Sequence, residues 1–257
     1  MRILSRAALL GSFLLAGSAL AAQPAAAADA LTVGLSPNKG GSLTVGAPTT
    51  FTLKATTPDV PYDVGGNTQL GAIKVNMPEQ LLFNTTGFAQ CSVPKFQVDK
   101  TCPKDTALGT VKMKVDAGPD FPALIDVTGE LYFGTGFTIL AMVHATSPAP
   151  IDEPVVGELR SSGVAGYGLQ IYIPVPQNLA QPINGVYPVV RSMEAVVTPQ
   201  TRKTKVPGER KAVKLPMAGL ATCKGALNFS MSIVYTDANR TTEKTSSPAA
   251  YKAKCKK

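Results

Sequence analysis

The sequence predicts an all-β protein, an antiparallel β-sandwich of two Ig-like lobes that is stapled by disulfides. Three observations lead to this prediction. Apolar and polar residues alternate with a period of two along many short segments, whereas the 3.6-residue stripes of amphipathic helices are nearly absent. Clusters of Gly, Pro, Asn and Asp separate these segments and supply turns. Finally, 44% of the 257 residues are apolar and only 16% are charged, which is the composition of a packed domain.

The first 30 residues have the layout of a secretory signal peptide. Arg2 and Arg6 flank the start of an apolar run at residues 7–20, and small residues at A-x-A spacing follow it. A membrane anchor would need about 20 apolar residues, and a Gln-Pro pair interrupts this run earlier. We therefore assign residues 1–28 as a signal peptide and expect a secreted or cell-envelope-associated protein with no transmembrane segment in its mature chain. Cleavage can follow Ala21, Ala28 or Ala30.

Each predicted strand places its apolar side chains on one face. In residues 73–77 Ile, Val and Met alternate with Lys and Asn, and residues 227–233 alternate in the same way. Two lobes, or one larger sandwich with long loops, would accommodate the mature chain; we adopt two, an N-terminal lobe at residues 31–120 and a C-terminal lobe at residues 121–257. The predicted strands are residues 31–35, 51–55, 73–77, 111–116, 131–133, 139–144, 169–173, 189–197, 227–233 and 251–257.

The four cysteines all lie in the exported part of the chain, as an even number in an oxidising setting. They are Cys91, Cys102, Cys223 and Cys255. Three pairings are possible, and proximity favours Cys91 with Cys102 and Cys223 with Cys255. The chain-entropy model gives loops of this size a stabilisation of about 3 kcal/mol each.

The net charge of +8 is concentrated at the C-terminal end. Residues 31–199 hold 10 basic and 13 acidic side chains, whereas residues 200–257 hold 13 basic and 3 acidic ones. Residues 198–214 are basic with little apolar content, so they predict a solvated loop or hairpin. In the last predicted strand every second residue is Lys, which either guards a sheet edge against aggregation or forms a binding face.

The binding interpretation predicts a basic surface that contacts an acidic cell-envelope polymer or anionic lipid headgroups. Nucleic acid is excluded as a partner because the chain is exported and carries no nucleic-acid-binding motif. The residues of this surface are Lys203, Lys205, Arg210, Lys211, Lys252, Lys254, Lys256 and Lys257.

Few residues offer catalytic or metal-binding chemistry. The chain has one His and no Trp, which excludes imidazole-ligated metal sites and Trp-lined sugar platforms. His144 lies on a predicted strand and has no nucleophile beside it in the sequence, so we interpret it as structural. Asp59, Asp63 and Asn67 could supply oxygen ligands to calcium, but their turn-forming tendency explains them equally. We expect no catalytic residue, no metal and no cofactor.

Several segments resemble a group of uncharacterised secreted proteins of high-GC Gram-positive bacteria. The resemblance lies in residues 77–82 (MPEQLL), in Cys91 and Cys102 followed by Pro, and in residues 107–111 (ALGTV). Later pieces that fit the same pattern are residues 129–132, 185–192 and 221–227 and the final Cys255. The resemblance implies export, β-sandwich modules and the two local disulfides, and it transfers no activity and no catalytic residue. The chain departs from the pattern after Pro78 and in its basic segment at residues 198–214.

These observations favour a non-enzymatic exported protein that binds or decorates the cell envelope through its basic C-terminal surface. The alternative is a carrier of a small molecule or lipid with an apolar pocket between the lobes. It is motivated by the apolar, glycine-rich residues 163–176. A secreted hydrolase is the third hypothesis, and the lack of a catalytic motif argues against it.

Overall fold

The structure of the protein, a computed structural model, describes most of the chain beyond the predicted signal peptide. The described residues are 30–37, 40–41, 45–57, 68–118, 120–121, 123–147, 149–206, 210–223, 225–246 and 248–254. Several predictions therefore fall outside the described residues: the signal peptide at residues 1–28, the possible calcium ligands Asp59, Asp63 and Asn67, and Cys255, Lys256 and Lys257.

The described chain is folded mainly into β-strands. Two short helices, α1 (Val93–Asp99) and α2 (Gln177–Ala180), and a 3-10 turn at Lys104–Thr106 interrupt them. The strands are β1 (Ala30–Ser36), β2 (Ala47–Pro48), β3 (Thr50–Thr56), β4 (Gln69–Met77), β5 (Leu81–Phe83), β6 (Ala107–Asp116), β7 (Ile125–Gly134), β8 (Thr138–Ala145), β9 (Ile151–Ser161), β10 (Leu169–Pro174), β11 (Val189–Val197), β12 (Thr201–Thr204), β13 (Val213–Pro216), β14 (Ala218–Leu220), β15 (Ala226–Thr236), β16 (Glu243–Thr245) and β17 (Ala249–Lys254).

Most strands belong to one large antiparallel sheet, which confirms the all-β antiparallel prediction. Its order is β1-β3-β11-β6-β7-β8-β9-β10-β4-β15, and β16 and β17 both pair with the remaining edge of β15. The division into two Ig-like lobes is not confirmed. Strand β11 of the predicted C-terminal lobe lies between β3 and β6 of the predicted N-terminal lobe, and β4 lies between β10 and β15.

The large sheet curls until its first and last strands meet. Strand β17 packs against β1, and Leu31 and Val33 of β1 share a buried cluster with Ala249 and Ala253 of β17. Among the described residues no ladder of backbone hydrogen bonds joins these two strands. The result is a nearly closed, barrel-like sheet with an inside and an outside.

Period-two alternation decides which side chains face inward. Along β6, Val111, Met113 and Val115 point to the interior, while Lys112 and Lys114 point to solvent. Register shifts keep this alternation in step where strands bend, as between Val190 and Ser192 of β11.

Two small elements cover the ends of the barrel-like sheet. At one end the three-stranded sheet β2-β14-β5 packs over the interior, and Leu81, Met217 and Leu220 are buried there. At the other end α2 packs Leu179 against a buried cluster that includes Val143. We call this second end the α2 end.

Helix α1 packs on the outer face of the large sheet. Phe96 is fully buried and clusters with Leu140 and Met142 of β8. A disulfide between Cys91 and Cys102, whose Cα atoms lie 5.5 Å apart, ties the two ends of this helical segment together and confirms one predicted pairing. The second bridge stays a prediction: Cys223 is disulfide-bonded, but Cys255 lies outside the described residues.

Candidate ligand-binding cavity

The interior of the barrel-like sheet contains a cavity of about 240 Å³. Inward-facing side chains of β3, β4, β6, β7, β8, β9, β10 and β11 form its wall. Its volume lies just below the roughly 300–1,000 Å³ that is usual for ligand pockets. A dry apolar cavity of roughly 150 Å³ can hold benzene, so this space is large enough for a small apolar molecule.

Small side chains at inner positions leave this space open. Ala141 and Ala145 on β8 and Ala195 on β11 all line the cavity. Gly129 on β7 has another role, because a Cβ there would lie 2.6 Å from the carbonyl oxygen of Met142. The sequence places residues of low volume where a filled core would need large ones.

The cavity wall is almost entirely apolar. Ser147 is the only residue with a polar side chain among the described residues that line it. A charged group deep inside would lose its hydration without gaining a partner, which costs several kcal/mol or more. Such a wall selects ligands by shape and apolar surface.

The sheet has a gap in its backbone pairing at the α2 end. Strand β10 pairs with β9 only from Glu158 to Ser161 and ends at Pro174. Among the described residues, the stretch of β9 from 151 to 156 thus has no strand partner on the side away from β8. Ile151 and Val155 on this stretch and Leu179 of α2 all line the cavity, so the cavity extends to this gap.

Hydrogen bonds hold α2 in its position at this end. Arg240 donates one hydrogen bond to the carbonyl oxygen of Val175 at 2.7 Å and another to the side-chain oxygen of Gln177 at 2.8 Å. The amide of Gln177 in turn donates to the side-chain oxygen of Gln69 at 3.0 Å. This chain of contacts fixes the helix to the sheet at β4.

The glycine-rich segment that motivated the carrier hypothesis contributes only in part. Gly163 and Gly166 have positive φ angles, and a Cβ at either position would meet no atom within 4 Å. They belong to an open turn outside the cavity wall. Only the apolar residues that follow them, Ile171, Ile173 and Val175, line the cavity.

The described residues of the predicted basic surface are all exposed and lie on two separate elements. Strands β12 and β13 pair antiparallel, with Lys203 opposite Lys214, and Lys205, Arg210 and Lys211 lie in the described part of the connection between them. Lys252 and Lys254 lie on the outer face of β17.

His144 lies on the outer face of the large sheet, away from the cavity. Its Nδ1 is 2.5 Å from a carboxylate oxygen of Asp152 on β9, and its Nε2 is 3.0 Å from one of Glu130 on β7. The hydrogen bond with Asp152, supported by that with Glu130, raises the pKa of His144. We call these three residues the His144 cluster; it ties three adjacent strands together.

At the α2 end Asp116 forms an ion pair with Arg191, 2.5 Å apart. The hydrogen bond from Arg191, and a second one from the backbone N–H of Gly118, lower the pKa of Asp116. Among the described residues no group of three acidic, His or Cys side chains could hold a metal ion.

The chain matches no protein-family model, and no curated protein is significantly similar to it. The resemblance to secreted bacterial proteins stays a prediction. None of the helices in the described part of the chain has the length and apolar character that crossing a membrane requires.

Sequence reasoning did not identify the cavity-lining residues as a site, because each strand's apolar face looks like ordinary core. The signal that could have found them is the number of Ala residues at inner positions, such as Ala141, Ala145 and Ala195.

Proposed function

We propose that the protein is a non-enzymatic carrier that holds a small apolar molecule inside its barrel-like sheet. The observation that carries this proposal is the apolar cavity of about 240 Å³. It modifies the carrier hypothesis drawn from the sequence, since the ligand would lie within one sheet instead of between two lobes.

The cost of leaving such a space empty supports the proposal. Protein interiors are packed as densely as organic crystals and contain few voids larger than a water molecule. At roughly 24 cal/mol per Å³ an empty cavity of this volume would cost on the order of 5 kcal/mol, an upper bound for a partly open space. Total stabilities are about 5–15 kcal/mol. A fold that keeps this space gains from filling it with a ligand.

Two measurements test the proposal. Native mass spectrometry of the protein purified from its own host should show a retained adduct that organic solvent removes. In addition, the neutral fluorescent probe N-phenyl-1-naphthylamine should bind to the stripped protein and be displaced by the extracted adduct.

A matched pair of variants links probe binding to the cavity. Ala141→Phe places an aromatic ring in the cavity and should abolish probe binding, whereas Thr110→Phe adds the same ring to the exposed outer face of β6 and should leave binding unchanged. A clean apo mass together with no probe binding would refute the carrier proposal. If both variants bind the probe equally well, the probe binds outside the cavity.

A second function, contact with an acidic envelope polymer or anionic lipid headgroups, is favoured by the exposure of every described residue of the basic surface. It is compatible with a carrier that works at the envelope. Sedimentation with purified cell wall or anionic vesicles at two salt concentrations tests it. Replacing Lys203, Lys205, Arg210 and Lys211 with Gln should weaken binding at low salt; binding that is insensitive to salt would exclude an electrostatic contact.

A further inference from the structure

Among the described residues, Glu153 is the one charged residue at an inner position of the strands that form the cavity wall. Its neighbours on the same face of β9 are Ile151 and Val155, both of which line the cavity. Across the sheet it pairs with Val143 of β8, another lining residue. The register therefore places Glu153 on the cavity side of the sheet, at the edge of the wall, although its side chain is not among those that line the cavity.

Glu153 lies at the α2 end of the sheet, on the part of β9 that has no described strand partner on the side away from β8. Its side chain is half-buried and makes no hydrogen bond or ion pair with any residue that the structure describes. The following residue, Pro154, has no backbone N–H to offer, as is usual at an unpaired strand edge. Glu153 thus stands beside the gap through which a ligand's end would project.

Three acidic residues near Glu153 differ from it because each pairs with a basic side chain. Asp116 pairs with Arg191 at 2.5 Å, and Asp126 pairs with Lys114 at 2.6 Å. On β9 itself, Asp152 is occupied by the His144 cluster. Of these four carboxylates, Glu153 is the one that has no cationic partner among the described residues, and it lies next to an apolar wall.

An ionised carboxylate beside apolar surface is stabilised by a cation or a strong hydrogen-bond donor and repels another anion. We propose that Glu153 recognises the polar head of the carried molecule, and that this molecule combines an apolar body with a positively charged amine. The inference rests on the proposed carrier function and adds the chemical class of the ligand.

Three probes with the same ten-carbon chain test this selection: decylamine, decanol and decanoate. Binding to the full chain is measured by calorimetry at pH 7, below the critical micelle concentration of each probe. A hydrogen bond to a charged group predicts that decylamine binds about 10-fold to 100-fold more tightly than decanoate, with decanol in between.

Glu153→Gln removes the charge at nearly constant size and should reduce the affinity for decylamine about tenfold while leaving that for decanol unchanged. The matched control Glu158→Gln removes an exposed charge from the outer face of the same strand and should change neither affinity. Unchanged decanol binding shows that the variant remains folded.

The outcomes separate the two proposals. If all three probes bind equally well to the unsubstituted chain, Glu153 does not select the head and this inference is overturned, while the carrier function stands. If decanoate binds best, the inference is overturned in the same way. If none of the three decyl probes binds while N-phenyl-1-naphthylamine does, the inference is overturned and the carrier function stands. If that probe also fails to bind and the native mass is that of the apo protein, the proposed function fails and the inference fails with it.

Discussion

Replacing Ala195 with Leu tests whether the cavity is open space in the folded protein. Ala195 faces inward on β11 and lines the cavity, and its half-buried side chain retains access to that space. The substitution adds three carbons, each worth about 0.8 kcal/mol when fully buried. Because burial at this site is partial, we expect the free energy of unfolding to rise by about 1–2 kcal/mol.

The control is the same substitution at Ala253, which also faces inward but on β17, outside the cavity wall. Ala253 is only 3% exposed and belongs to the packed cluster at the junction of β1 and β17. Extra carbons there have no free volume to occupy, and overpacking of this kind costs about 1–3 kcal/mol. The two Ala→Leu variants should therefore change stability in opposite directions.

Urea unfolding followed by circular dichroism measures both effects, provided that the slope of free energy against urea stays constant across the variants. The ligand must first be stripped from the protein, because bound ligand would add its own stabilisation. Equal destabilisation of the two variants would show that the space around Ala195 is filled and that the protein has no open cavity there.

Three further predictions concern stability. Folding raises the pKa of His144, so its contribution to the free energy of unfolding should be complete below about pH 6.5 and be lost as the pH rises through the folded pKa. For this exposed group we expect a contribution of about 0.5 kcal/mol. Unfolding of the unsubstituted protein and of His144→Gln across pH 5–9 measures it. Folding lowers the pKa of Asp116, so its ion pair with Arg191 should stabilise the protein above about pH 4 and lose its effect as the pH falls through the folded pKa. Asp116→Asn should therefore lower the free energy of unfolding by about 1 kcal/mol at pH 7 and leave it unchanged in acid. An equal cost at both pH values would contradict a stabilising ion pair. Replacing Cys91 and Cys102 together with Ala should lower the free energy of unfolding by about 3 kcal/mol in chemical denaturation, and an unchanged midpoint would refute a stabilising role for this bridge.

Local alternation predicted individual strands well but could not predict how they assemble. Residues 73–77 and 227–233 were predicted as strands, and they form parts of β4 and β15, which pair with each other. A period of two shows that each strand buries one face, and both a two-sheet sandwich and a closed sheet satisfy that condition. The pairing of β3 with β11 depends on side chains more than a hundred residues apart, which no local pattern encodes.

Among the strands of six or more residues, β9 is the one that the alternation did not predict, and Glu153 is part of the reason. In β9 the alternation of apolar side chains is interrupted by Glu153 at an inner position, by Pro154 and by Gly157. Each of these residues disfavours a strand when it is considered locally. In the fold, Glu153 lies at the α2 end and Pro154 at an unpaired edge, so neither disrupts the ladder with β8. Departures from a local rule thus coincide with the candidate site.

The number of strands around the interior has a geometric consequence for the meeting of β1 and β17. Counting β17 as the last member, eleven described strands form the circuit, and each pairs antiparallel with the next. The chain direction reverses from each strand to the next, so with an odd number of strands the first and the last, β1 and β17, run parallel to each other. An antiparallel ladder cannot close this ring. The two ends of the described chain, Ala30 and Lys254, consequently lie at opposite ends of this seam, where buried side chains of β1 and β17 pack against each other.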